Sequence, residues 1–122
     1  MNIHPTQIIN KVSDYYHPEL GRLYTKSRLT DVRRVRQISM FFMKDLTNLT
    51  WGQIGDYFNR DHATAIHSYK VVLNEFETDA IYRHDINIIR KSLMKSMDYN
   101  CNVPVQYMLM QIFGKQLIHI NP

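Results

Sequence analysis

Apolar residues recur at intervals of three and four along most of the chain, the spacing of amphipathic helices, and strand-like alternation is weak. Ile8, Ile9, Val12 and Tyr16 share one face of a helix expected over residues 6–16. Pro18 stops it or opens a short turn over 19–24, because proline lacks the N–H that a helix interior needs. A long helix is predicted over 31–48, with Val35, Ile38, Phe42, Leu46 and Leu49 as its core stripe. Arg33, Arg36 and Lys44 lie off that stripe and are expected to face solvent or a ligand.

Thr50-Trp51-Gly52-Gln53 has the capping-box pattern, a threonine with a glutamine three residues on, and predicts a short helix with Trp51, Ile54, Gly55 and Phe58 inward. Asn59-Arg60 forms a tight turn, since asparagine tolerates the left-handed conformation. Asp61 then caps a helix running to residue 77, with Ile66, Tyr69, Leu73 and Phe76 as its buried stripe. A last clear helix is expected over 79–97. Tyr82, Ile86, Ile89, Leu93 and Met97 form its apolar face, and Arg83, Arg90, Lys91 and Lys95 its other. In the tail, Val105, Met108, Leu109, Ile112 and Phe113 suit an amphipathic helix, and 116–120 alternates. The reading is an all-α helical bundle, with a domain over 1–98 and an extension over 99–122 that is helical in part.

The 122 residues suit one domain with a modest core, and 44% hydrophobic residues is ordinary for a globular chain. No apolar run reaches the roughly 20 residues of a membrane span, and the N-terminus lacks a signal-peptide pattern, so a cytoplasmic, nucleoid-associated protein without membrane contact is expected. The single cysteine, Cys101, has no partner for an internal disulfide and no adjacent base to make it a nucleophile. His62 and His67 are five apart, not the four that puts two ligands on one helical face, so neither a metal nor another cofactor is expected. Asp56 and Asp61 read as helix-surface and cap residues, not as a catalytic pair. No catalytic constellation is present, and an enzyme is not expected. The seven methionines read as core filler.

Charge adds the first functional signal. Residues 22–44 hold Arg22, Lys26, Arg28, Arg33, Arg34, Arg36 and Lys44 against one acid, Asp31, while the whole chain is only +4. A solvated helix face would look the same, but a basic stripe on a near-neutral body is also the footprint of a nucleic-acid binder. The second signal is the pair of helices flanking Asn59-Arg60, since two helices joined by a tight turn make a helix-turn-helix. In that motif the N-terminal residues of the second helix enter the major groove of double-stranded DNA. Asp61 can accept from a cytosine amino group, His62 can donate or accept, and Ala63 offers a methyl to thymine. Thr64 can bond a phosphate. Two helices that merely pack would show the same spacing, but the upstream basic stripe supplies the phosphate partners a reading helix needs.

Along these residues the chain resembles the C-terminal DNA-binding domain of the bacterial replication initiator DnaA. The family pattern R-Q-[IV]-A-M, E-L-T and I-G-x-x-F-G-G-R-D-H-T-T-V-x-H is matched in order. Here it reads Arg36-Gln37-Ile38-Ser39-Met40, then Asp45-Leu46-Thr47, then the run from Ile54-Gly55 through Phe58-Asn59-Arg60-Asp61-His62-Ala63-Thr64 to His67. Thr25-Lys26-Ser27-Arg28 resembles the family's S-K-x-R loop. The resemblance covers about residues 6–97 and implies a bundle of the Trp-repressor type. It places Arg28 in the minor groove and Asp61, His62 and Ala63 on bases. It places Arg36, Gln37, Lys44, Trp51 and Thr64 near phosphates, and the basic Arg33, Arg34 and Arg60 are grouped with them. It also implies a target like the nine-base-pair box TTATCCACA. Trp51 has two readings, a backbone contact through its indole N–H or a core anchor. His67 is expected to pack or bond near the helix surface.

The departures from the pattern are local. Asn59 replaces a Gly-Gly pair, Ala63 the first of two threonines, Val35 a proline, and Trp51-Gly52 a Leu-Pro. No G-x-x-x-x-G-K-[ST] phosphate loop is present, and some 20 residues follow the matched region. A stand-alone relative is expected, of the kind a mobile element carries. The alternative is a protein-interaction or dimerisation module working through 103–120, with DNA binding diverged.

Overall fold

The computed structural model of the protein describes residues 3–17 and 30–96. They form five helices and, among the described residues, no strand: α1 (Pro5–Tyr16), α2 (Thr30–Leu46), α3 (Trp51–Asp56), α4 (His62–Thr78) and α5 (Ala80–Ser96). The expected turn over 19–24, Arg28, Met97, Cys101, the boundary at 98 and the tail lie outside the described residues.

Local chemistry starts and stops these helices. The His4 ring accepts the Thr6 N–H at 3.1 Å while the Gln7 side chain accepts the His4 N–H at 3.0 Å, and α1 ends at His17 in the left-handed region. Asp79 closes one helix and opens the next. Its N–H donates to Glu75 at 2.9 Å, and its Oδ1 accepts the N–H groups of Ile81 and Tyr82 at 2.9 and 3.1 Å. Arg83 reinforces this corner by donating to the carbonyls of Phe76 and Glu77, the C-terminal end of α4 where a cation is favoured.

α2 is the axis of the bundle, packed against α1, α3 and α4. That position explains why its core exceeds the predicted stripe. Val32, Val35 and Ile38 are buried, and so is every residue from Ser39 to Met43, whereas Leu46 and Leu49 are only partly buried. Burying one such large apolar side chain stabilises a fold by roughly 1.5–3 kcal/mol, so the middle turns of α2 dominate the core. α4 is rotated from the predicted face: Ala65, Ser68, Tyr69 and Val72 are buried, while Ile66, Leu73 and Phe76 are not fully so. The small Ala65 and Ser68 fit the packed side of this helix. In α5 the predicted Tyr82, Ile86, Ile89 and Leu93 are buried.

Two arginines correct the reading of exposed faces. Arg36 is 8% exposed and Arg90 is 2% exposed. Arg90 lies over the Phe42 ring at 5.7 Å, so its stem packs in the core while its planar cation meets an aromatic face.

Candidate nucleic-acid interface

The short α3 and the longer α4 are joined by a turn that closes on one glycine. Thr50 caps α3 as the sequence predicts: its hydroxyl accepts the Gln53 N–H at 3.2 Å, and the Gln53 side chain accepts the Thr50 N–H at 2.9 Å. At the other end the Gly55 carbonyl accepts the N–H groups of both Phe58 and Arg60 at 2.9 Å. Asn59 takes the left-handed conformation, φ 57°, as expected for its type. A side chain at Gly55 could not fit, because its Cβ would sit 2.6 Å from the Arg60 carbonyl oxygen and 2.7 Å from that of Asp61.

Asp61 follows in an extended conformation and caps α4. Its Oδ1 accepts both the Thr64 N–H and the Thr64 hydroxyl, each at 2.9 Å. These two bonds, with a smaller contribution from His62, hold the Asp61 carboxyl below its ordinary value of 3.8. The stability this cap contributes is therefore complete above the ordinary carboxylate pKa and is lost as the pH falls through the lower folded value. Melting curves followed by circular dichroism should separate wild type from Asp61→Ala at neutral pH and bring them together in strong acid. A difference of constant size across that range would remove the charged cap from the account.

Asp61, His62 and Ala63 are all exposed, together at the first turn of α4. The outward face continues through His67, Lys70 and Asn74, all exposed. His67 thus lies at the helix surface with its side chain exposed, and Lys70 joins the face unforeseen. The signal for both was the spacing from Ala63, four and seven residues on.

The basic residues divide. Arg36 from α2 has its pKa lowered first by burial and then by the nearby charges of Arg60 and Arg33. Arg36 thus lies within electrostatic reach of Arg33 on the same helix and of Arg60 in the interhelical turn, with Arg33 exposed and Arg60 half-buried. Arg34 turns instead toward α5, its cation 5.7 Å from the Tyr82 ring centroid. Gln37 is half-buried on α2.

Lys44 places its ammonium 4.5 Å from the Trp51 ring centroid at the start of α3. Trp51 is half-buried and meets Tyr69 edge-on at 5.5 Å. Tyr69 in turn stacks on Phe41 at 4.8 Å and donates to Asp45 at 2.8 Å. Trp51 is thus an anchor that ties α2, α3 and α4 together, and one that leaves part of its surface outward.

A family model described as the bacterial dnaA protein helix-turn-helix matches residues 5–72. The chromosomal replication initiator proteins DnaA of Burkholderia multivorans, Burkholderia cenocepacia and Burkholderia vietnamiensis are each 32% identical to this chain over 83 residues, 67% of this chain and 16% of theirs. The chain therefore spans about a sixth of the length of the curated relatives it matches. Residues 5–72 are more than half of the chain and include all of α1, α2 and α3, the turn closed by Gly55 and the first turns of α4: the chain belongs to the bacterial DnaA helix-turn-helix family.

Proposed function

We propose that this domain binds double-stranded DNA with sequence preference, inserting the first turn of α4 into the major groove. The observation that carries this reading is the exposed Asp61-His62-Ala63 turn, held at the start of α4 by the turn closed on Gly55, with the basic Arg33, Arg36 and Arg60 on the flanking elements. A phosphate backbone supplies anions at regular spacing, and basic side chains beside a reading turn are the partners that position it. Next to that anchor stand three side chains whose donors, acceptors and methyl match base edges.

In this reading Asp61, His62 and Ala63 contact bases. Arg33, Arg36, Arg60, Gln37 and Lys44 hold phosphates, with the outer part of Trp51 against the backbone. Arg34, turned toward α5, adds positive potential at longer range, and Arg28 reaches the minor groove. The target is a duplex related to TTATCCACA, altered where Ala63 replaces a hydroxyl-bearing residue. The process served is replication initiation or its regulation, since the relatives are named as replication initiators. The protein is cytoplasmic, works without a cofactor and catalyses no reaction.

Fluorescence anisotropy of labelled duplexes tests the assignment. His62→Ala should reduce the ratio of preferred to random duplex affinity by about tenfold, because one good base contact discriminates by roughly 1–3 kcal/mol. Equal losses on both duplexes would remove His62 from the base-reading set.

A further inference from the structure

The two bonds between Thr64 and Asp61 decide which atoms remain to meet DNA. A carboxylate oxygen offers two lone-pair directions. At Asp61 Oδ1 both are engaged, one by the Thr64 N–H and one by the Thr64 hydroxyl. No hydrogen bond to Oδ2 occurs among the described residues, and the side chain is exposed. The hydroxyl of Thr64 has one proton, and Asp61 holds it. A phosphate oxygen only accepts, so in this arrangement Thr64 has nothing to donate to it.

We propose that Thr64 is a positioning residue that acts through Asp61: it clamps Oδ1 and leaves Oδ2 for the groove, and so fixes the one place at which Asp61, always an acceptor, can meet a base amino group. The inference rests on the DNA-reading function proposed above. A single clamped acceptor selects the N4 amino group of cytosine or the N6 amino group of adenine and rejects the carbonyl edges of guanine and thymine. Without the hydroxyl, the Thr64 N–H still caps α4, but the carboxylate rotates and the aim of Oδ2 is lost. The cap also makes Asp61→Asn informative. An asparagine oxygen can keep both bonds from Thr64, which leaves an NH₂ donor where Oδ2 stood. The preferred partner then becomes a base acceptor, O6 or N7 of guanine or O4 of thymine.

The experiment starts from the duplex that wild type enriches from a random pool. Affinities are then measured for that duplex and for every single-base-pair substitution of it, with wild type, Thr64→Val, Thr64→Ser and Asp61→Asn. Wild type should prefer an amino-bearing base at one position by about tenfold, and Thr64→Val should reduce that preference to about twofold there while sparing other positions. Thr64→Ser should restore it, and Asp61→Asn should invert it. Thermal melts confirm that each variant is folded, and Asp61→Asn alone suffices if Thr64→Val is not.

A uniform loss for Thr64→Val across all duplexes, with the salt slope unchanged because a hydroxyl carries no charge, would make Thr64 a phosphate contact and overturn the proposal. An unchanged preference in Asp61→Asn would overturn it as well. A wild type that enriches no sequence would overturn the DNA-reading function itself, and this inference with it.

Discussion

Gly55→Ala is expected to abolish duplex binding and to lower the melting temperature by roughly 15 °C, with the helices themselves still able to form. The added methyl would meet the carbonyl oxygens of Arg60 and Asp61 at 2.6 and 2.7 Å and the Asp61 carbonyl carbon at 3.0 Å. These are backbone atoms, which cannot swing aside as a side-chain end can. The turn would have to open. It would then give up the bond from the Arg60 N–H to the Gly55 carbonyl and carry the start of α4 away from α3. Overpacking of this kind costs about 3 kcal/mol, a large fraction of a small domain's stability. Gly52 is the control. A methyl there meets only the Thr50 hydroxyl at 4.0 Å, so Gly52→Ala should be neutral or stabilising by up to about 1 kcal/mol, because alanine favours the helix. Circular dichroism melts of the two variants decide the matter. Equal melting temperatures would mean that the turn does not close on Gly55.

Arg36→Ala is expected to weaken binding to every duplex by about tenfold and to lower the slope of log affinity against log salt by about one. Arg36 is the buried member of the Arg33, Arg36 and Arg60 group, and burial followed by its two positive neighbours lowers its pKa. A phosphate at this point would accept charge-assisted hydrogen bonds, the stronger kind. The effect should not depend on sequence, since a phosphate carries none. Arg33→Ala, at an exposed position, should cost less. Anisotropy titrations at several salt concentrations measure both quantities. A loss confined to the preferred duplex, with an unchanged salt slope, would place Arg36 on a base.

Much of the motif could be read from residue types because its determinants are local. Thr50 with Gln53, Asn59 in the left-handed region and Asp61 at the cap each depend on a few neighbouring backbone groups, and each stands where the sequence placed it. What could not be read depends on packing between helices. Periodicity identifies one apolar face per helix, whereas α2 is covered on several sides, so Arg36 is buried although it lies off the stripe. Arg90 is hidden for a similar reason, its stem long enough to pack while its cation rests on Phe42. On α4, hydrophobicity favoured Ile66 and Leu73, but Ala65, Ser68 and Val72 are the side chains turned inward. The link from Thr64 to Asp61 was also obscure, because a threonine in the first turn suits a phosphate as well as a carboxylate. Only the hydroxyl geometry separates the two roles.

In the proposed function the first turn of α4 reads base sequence in double-stranded DNA. Selection of bound duplexes from a random pool at physiological salt tests it most directly. A single enriched motif related to TTATCCACA is expected, contiguous over about half a turn to one turn of the duplex. Retention without enrichment of any motif, falling away as salt rises, would show binding by charge alone and would contradict it.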